Sequence, residues 1–253
     1  MSDYQPFIGI TADTGGHPEE GGEQAYMVRR NYVEAIAAAG GMAVILPYAP
    51  VRAAEVIARL DGLLVTGGRF DLPADWYGGK PATDASVLKE DRSIAERALI
   101  AAALAIDLPV LGICNGMQLL GVMHGAKVIE HIPDDIPDAL EHMAPGTPHQ
   151  PRHDVRFPPE SRLAALVGTA GAMVNSVHHQ ALLPVPGVQV AAIAPDGVVE
   201  AIEITGRRFC YGLQWHPEYG VSPADGAILN AFVAAAAAFR SSAAPAIGSE
   251  RVA

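Results

Sequence analysis

The chain has 253 residues, of which 50% are hydrophobic and 18% charged, and its 17 Lys and Arg against 28 Asp and Glu leave a formal net charge of −11. That composition excludes disorder as the main state and fits one large or two small globular domains. No basic run is present, so nucleic acid and anionic membrane are excluded as expected partners, and a small molecule is favoured.

Two cysteines, Cys114 and Cys210, are too few for a disulfide framework and point to a reducing compartment. The opening Met1 to Pro6 has neither the basic nor the apolar segment of a secretion signal. The longest apolar stretches, residues 98–106 and 231–239, fall short of the ~18–20 residues that span a bilayer. A cytoplasmic location is the expectation.

In chain order, short apolar runs alternate with stretches of helical period. Phe7 to Ile10 predicts a strand, Tyr26 to Ala39 a helix, Ala43 to Leu46 a strand and Val51 to Leu60 a helix. Gly62 to Val65 then predicts a strand, Ser86 to Ile106 a long helix, and Pro109 to Ile113 another strand. Near-continuous apolar strands alternating with helices imply a parallel sheet covered on both faces. Asp134 to Gln150 has no period and predicts a long surface loop. Strand-like pieces at 153–157, 188–194, 198–204 and 209–215, with turn signals at Pro195-Asp196-Gly197 and Gly206-Arg207, predict an antiparallel extension of that sheet. A helix from Pro223 to Arg240 follows. The expected architecture is α/β: three layers, a mostly parallel central sheet with flanking helices and a small antiparallel extension, as one domain over residues 5–240 with a flexible tail at 241–253.

The strongest chemical signal is Gly112-Ile113-Cys114-Asn115-Gly116, where an apolar strand gives way to the helical segment Met117 to His124. Small residues two positions either side of a central nucleophile are what a sharp strand-to-helix turn requires. The helix N-terminus behind such a turn stabilises a thiolate. An ordinary buried cysteine is the alternative for Cys114, and Cys210, in mid-strand, has that character. A nucleophilic thiol needs a base and an orienting group. Trp215-His216-Pro217-Glu218 offers both, with His216 and Glu218 two apart at a strand end and Pro217 stopping the ladder.

Thr66-Gly67-Gly68 follows an apolar strand, either as a plain turn or as backbone N–H groups that could join Asn115 in an oxyanion hole. Asn175-Ser176-Val177-His178-His179-Gln180 reads either as a polar strand end facing a ligand or as a structural hydrogen-bond corner. His142, His149, His153 and the pair His178-His179 match no His-Glu-x-x-His or paired Cys-x-x-Cys template, and no phosphate loop is present. No metal and no cofactor are expected.

Residues 111–118, 174–180 and 212–218, in that order and supported by Thr66-Gly67-Gly68 and residues 194–201, resemble the class I glutamine amidotransferase superfamily. The resemblance is closest to its standalone peptidase C26 branch, which includes γ-glutamyl-γ-aminobutyrate hydrolase, and covers about residues 5–240. It implies a flavodoxin-like fold and a triad of Cys114, His216 and Glu218 that cleaves a γ-glutamyl amide through a cysteinyl thioester. It places Gly67, Gly68 and Asn115 at the oxyanion and Gln118, Asn175, Ser176, Val177, His178 and His179 around the glutamyl group. The implied partner is a small γ-glutamyl amine of amine catabolism, such as putrescine degradation, with a homodimer compatible. The alternative is a glutaminase subunit passing ammonia to a separate synthase. Asn115 replaces the branch's usual Arg, Gly121 its usual Asn, and His124-Gly125 and Glu130-His131 replace Gly-Gly and Gln-Asp, departures expected beside the pocket. The loop from Arg69 to Gly78 offers aromatic surface and charge for the amine side of such a substrate.

Overall fold

The computed structural model describes residues 4–16, 23–80, 88–143, 148–183 and 185–243. Its centre is a mixed sheet of eleven strands in which β4 (Met42–Leu46), β1 (Phe7–Thr11), β5 (Gly62–Val65), β6 (Val110–Ile113) and β13 (Cys210–Leu213) lie side by side and parallel. Alternation along these strands divides the core. Leu64, Leu111, Ile113, Tyr211 and Leu213 face one side with Ile8 and Ile10, whereas Leu63, Val65, Val110 and Cys210 face the other. Helices α1 (Arg30–Ala38) and α7 (Pro223–Ala243) supply Ile36 and Phe232 to the first layer. Helices α2 (Ala53–Ile57), α3 (Glu90–Ala105) and α4 (Asn115–Met123) supply Ile57, Ile100 and Leu120 to the second. Three layers around a central sheet are thus as expected.

β13 is the strand at which direction changes. It runs parallel to β6 and antiparallel to β12 (Val199–Glu203), beyond which β11 (Gln189–Ile193), β8 (His153–Arg156) and β9 (Gly171–Val174) continue the antiparallel part. Two short strands without a sequence signal, β7 (Lys127–Ile129) and β10 (Ala181–Leu183), pair with each other and reach the sheet through Leu182 opposite Val199. The extension therefore carries more strands than the four runs that announced it. Three-residue strands hold too little periodicity to read, and the two partners are far apart in the chain, as in Ala181 opposite Ile129.

Other boundaries differ for local reasons. Residues 24–27 are not helical but form β3, paired antiparallel with β2 (Asp13–Gly16). The Val51–Leu60 helix is a 3-10 turn at Pro50–Arg52 followed by the short α2. The start expected for the long helix, Ser86, lies outside the described residues. Helix α6 (Arg162–Val167) has legible caps that periodicity alone passed over: Ser161 Oγ accepts from the Ala164 N–H at 3.1 Å, and Gly168 ends the helix at φ 76°. The stretch 134–150 is not wholly a surface loop, because it opens on the last residues of α5 (Ile132–Asp135) and buries His142. Ser241 to Ala243, expected in the tail, complete the last turn of α7, and 244–253 lie outside the described residues.

The register aligns the carboxyl ends of three strands. Val65 stands opposite Gly112, and Ile113 opposite Leu213, so Thr66, Cys114 and Gln214 leave the sheet at one rim. Just past β13, Trp215 is fully buried and donates its indole N–H to Asp225 Oδ1 of α7 at 2.9 Å, fixing the chain immediately before His216.

Burial pushes the Asp225 carboxyl up to about 6, against the lowering effect of its bonds from the Ser222 N–H and Trp215. The folded chain thus binds this proton more tightly than the unfolded one, whose Asp titrates at 3.8. The resulting stability is fully present below pH 3.8 and is lost as the pH rises through about 6. Asp225→Asn stays neutral, so its stability relative to wild type is expected to rise between those two values and level off above them. Urea unfolding across that range measures the margin, and a pH-independent margin would refute the assignment.

Candidate active site

Cys114 sits between β6 and α4 at φ 53° and ψ −109°, a conformation that costs a non-glycine residue about 1–3 kcal/mol. Its neighbours explain how it is held. A Cβ on Gly112 would stand 2.5 Å from the Gly116 carbonyl oxygen, and one on Gly116 would stand 2.4 Å from the carbonyl oxygen of Val65. Backbone fills both places, so only glycine fits. The Cys114 N–H donates to Leu213 O at 2.7 Å, which ties the turn to β13.

His216 and Glu218 come to the same place. Glu218 Oε1 accepts from His216 Nδ1 at 2.7 Å, with the carboxylate side chain 1% exposed and the imidazole 12%. Burial alone would lower the His216 pKa, but the Glu218 charge and a hydrogen bond with Cys114 raise it well above the ordinary histidine value. Burial pushes Cys210 the other way from reactivity, its thiol rising to about 12.

The glycine turn closes over this group. A Cβ on Gly67 would lie 2.9 Å from His216 Cε1 and 3.2 Å from both Cys114 Cβ and the Tyr32 hydroxyl. The Gly67 N–H donates to Tyr32 Oη at 3.1 Å. Gly68 and Asn115 both border the cleft onto which Cys114 opens, and Asn115 begins α4, where N–H groups lack partners within the helix. Tyr32 itself lies against Glu218: burial first, and the carboxylate's charge second, hold its phenol well above the usual range.

Beneath the turn is a buried ion pair that no sequence motif announced. Arg92 Nε donates to Glu96 Oε1 at 2.9 Å, while Arg92 Nη2 donates to Thr66 Oγ1 at 2.9 Å and to the Gly67 carbonyl at 3.0 Å. The guanidinium also lies 4.7 Å from the centre of the Phe70 ring. Asn115 Nδ2 donates to Phe70 O at 2.9 Å, so the side chain in place of the usual Arg holds the turn's exit. The i, i+4 spacing of Arg92 and Glu96 was the available signal, but on a long helix it reads as a surface pair.

The cleft has a volume of about 440 Å³. Gln118, Val177, His178 and His179 line it, together with Arg69, Phe70 and Asp71. His179 Nε2 stands 3.2 Å from Asp71 Oδ1, joining the two loops. Asn175 and Ser176 do not line it. Asn175 Oδ1 accepts the His216 N–H at 2.8 Å and its Nδ2 donates to His216 O at 2.9 Å, so it clamps the backbone of His216. Ser176 Oγ donates to His142 O at 2.9 Å. The segment is both readings at once, ligand-facing at 177–179 and structural at 175–176. Trp76 and Tyr77 also turn away from the cleft and pack on the second core layer, with Arg97 4.7 Å from the Trp76 ring centre. Gly121 lies not at the pocket but against Leu182.

Behind the cleft wall, the histidines that matched no template converge. His142, His153 and His178 surround the fully buried Glu200, while His149 instead packs edge-on against Tyr219. Burial would raise the Glu200 carboxyl, but the facing imidazoles hold it down to about 2.

A strained cysteine at a strand-to-helix elbow, a buried His-carboxylate pair and a cleft at one rim of an α/β sheet define the amidotransferase-like class. The fold agrees: a Thermoplasma acidophilum protein described as a GMP synthase subunit superposes with a TM-score of 0.64 at 19% identity, covering 94% of this chain and 98% of that one. The chain belongs to the Peptidase C26 family, whose model matches residues 6–218. Its relatives include a glutamine amidotransferase-like protein of Rickettsia prowazekii, 33% identical over 85% of this chain and 92% of that one. They also include the γ-glutamyl-γ-aminobutyrate hydrolase of Escherichia coli K12, 32% identical over 79% and 82% of the two chains. The relatives of this chain thus include both hydrolases and glutamine amidotransferase-like proteins. Among the described residues no helix is long and apolar enough to cross a membrane.

The raised His216 pKa implies an imidazolium that persists above the usual histidine range and is lost as the pH rises through that raised value. Glu218→Gln removes the charge that sustains it, so the alkaline limb of the kcat/KM profile is expected to move to lower pH while measurable activity remains. His216→Asn is expected to cost about 10²–10⁴-fold in kcat/KM at every pH. An alkaline limb unmoved in Glu218→Gln would show that another group governs it.

Proposed function

We propose that the protein hydrolyses the γ-glutamyl amide bond of a small γ-glutamylated amine, such as γ-glutamyl-γ-aminobutyrate, to glutamate and free amine. The observation that carries this reading is the convergence of Cys114, at its strained elbow, with the His216–Glu218 pair beside a cleft of about 440 Å³ that extends past the thiol to Arg69, Phe70 and Asp71. Cys114 Sγ attacks the amide carbonyl, and the Gly68 and Asn115 N–H groups receive the oxygen as it gains charge. The C–N bond then breaks as His216 gives its proton to the departing nitrogen. His216, now neutral, takes a proton from water, whose oxygen attacks the thioester carbonyl and releases glutamate and the thiolate. Glu218 holds the imidazole in orientation and balances its charge. Gln118, Val177, His178 and His179 face the glutamyl half, and Arg69, Phe70 and Asp71 the amine half, where binding remote from the scissile bond positions the carbonyl.

The second reading is a glutaminase serving a separate synthase, and the glutamine amidotransferase-like name of the Rickettsia relative is compatible with it. The two differ in what they turn over alone. With no partner protein, kcat/KM is expected to be higher for γ-glutamyl-γ-aminobutyrate or an uncharged γ-glutamyl alkylamide than for glutamine. Cys114→Ala is expected to lower turnover on the order of 10⁴-fold or more, and Cys210→Ala to keep most of it. Glutamine as the best substrate, or inertness until a synthase is added, would replace the first reading with the second.

A further inference from the structure

We propose that His142, His153, His178 and Glu200 form a closed, structural site for one divalent transition-metal ion, with zinc(II) the best match to the ligand set. One ligand atom from each residue lies within 4.8 Å of all the others. Glu200 Oε1 stands 3.2 Å from His142 Nδ1 and 3.5 Å from both His153 Nε2 and His178 Nε2. A tetrahedral ion with bonds of about 2.0–2.1 Å requires its ligand atoms about 3.4 Å apart, so the three edges at Glu200 already match a coordination tetrahedron, and the imidazole nitrogens, within a spread of 4.8 Å, would draw together around the ion.

The outer contacts select the same atoms. His142 Nε2 faces Asp196 Oδ2 at 2.8 Å, His178 Nδ1 the Gln180 carbonyl at 3.0 Å, and His153 Nδ1 the Asp154 carbonyl at 3.2 Å. Each imidazole thus spends one nitrogen on an oxygen acceptor, which fixes the tautomer that presents the other as a lone pair to the centre. That is how metal-binding histidines are held. The inward atoms face only one another: His153 Nε2, His178 Nε2 and both Glu200 carboxylate oxygens are buried without a well-aligned hydrogen bond, Glu200 Oε1 meeting the imidazoles at 3.2–3.5 Å. Buried polar atoms are rarely left so. Charge also balances, because a dication with the Glu200 and Asp196 carboxylates sums to zero. Three imidazoles with one carboxylate suit zinc better than calcium or magnesium, which take oxygen ligands. Four protein ligands leave no open position, so the ion holds structure and takes no part in the reaction.

The site has a bearing on the cleft. His178 both reaches the centre and lines the cleft, and Gln180 O, which orients His178, also accepts from Gln118 Nε2 at 3.3 Å. The ion would tie the 140–143 loop, β8, the 175–180 segment and β12 into one wall.

The test uses the full chain carrying Cys114→Ala, so that no active-site thiol competes for metal. The protein is stripped with a chelator and titrated with cobalt(II) and then zinc(II). One equivalent of cobalt is expected to produce tetrahedral ligand-field bands that zinc abolishes, with a rise in Tm. Asp196→Asn, which loosens the outer contact, is expected to weaken binding about 10–100-fold, and His153→Gln by more. If those variants fail to fold, the cobalt form of the parent still decides, because three hyperfine-shifted imidazole N–H resonances are expected from the three outer contacts. Absence of bands and of a Tm rise, fewer than three such resonances, or undiminished binding in a folded His153→Gln would overturn the site in favour of a hydrogen-bonded histidine cluster balanced by a proton.

Discussion

The close approach of three backbones around Gly112 and Gly116 sets the position of everything else in the site. Strand β6, the start of α4 and the carbonyl end of β5 meet there at distances a side-chain carbon would violate. That contact forces Cys114 into its unusual backbone conformation and turns its side chain out of the sheet. The strain is sustained because the turn is over-determined, by the Leu213 carbonyl on one side and the first turn of α4 on the other.

Around the elbow, each partner is held by something away from the chemistry. His216 is fixed through its main chain by Asn175 and through the preceding Trp215 by Asp225, while Glu218 fixes only its ring. The Gly67-Gly68 turn is held by Tyr32 above and by Arg92 below. Arg92 and Glu96 are each about 1% exposed, an arrangement in which removing one partner strands the other's charge. Such a pair gives a loop of glycines, which have no side chains to anchor them, a single geometry.

The change of strand direction at β13 joins the two halves of the cleft. The parallel half supplies the elbow and the glycine turn. The antiparallel half, through β8, β9 and β12, supplies the wall that carries His178 and His179, and the cluster around Glu200 lies inside that half. The cleft at the junction is therefore lined by Cys114, Phe70 and Gln118 from one packing unit and by His178 and His179 from the other.

The sequence by itself determined the parallel strands, the elbow and the pairing of His216 with Glu218, since each is encoded within a few residues: an apolar run, two glycines at fixed offsets, and a His-Pro-Glu bend. Tertiary structure decided the rest. The short strands β7 and β10 exist only because each finds the other. Asn175 became a clamp and not a ligand contact because His216 packs on it, and the Gly67 N–H was taken by a tyrosine 35 positions earlier. His142, His153, His178 and Glu200 carry no spacing rule because they meet across separate strands and loops. What a short segment can do is written in its own residues, but which buried polar atoms face one another depends on sheet pairing between segments far apart in the chain.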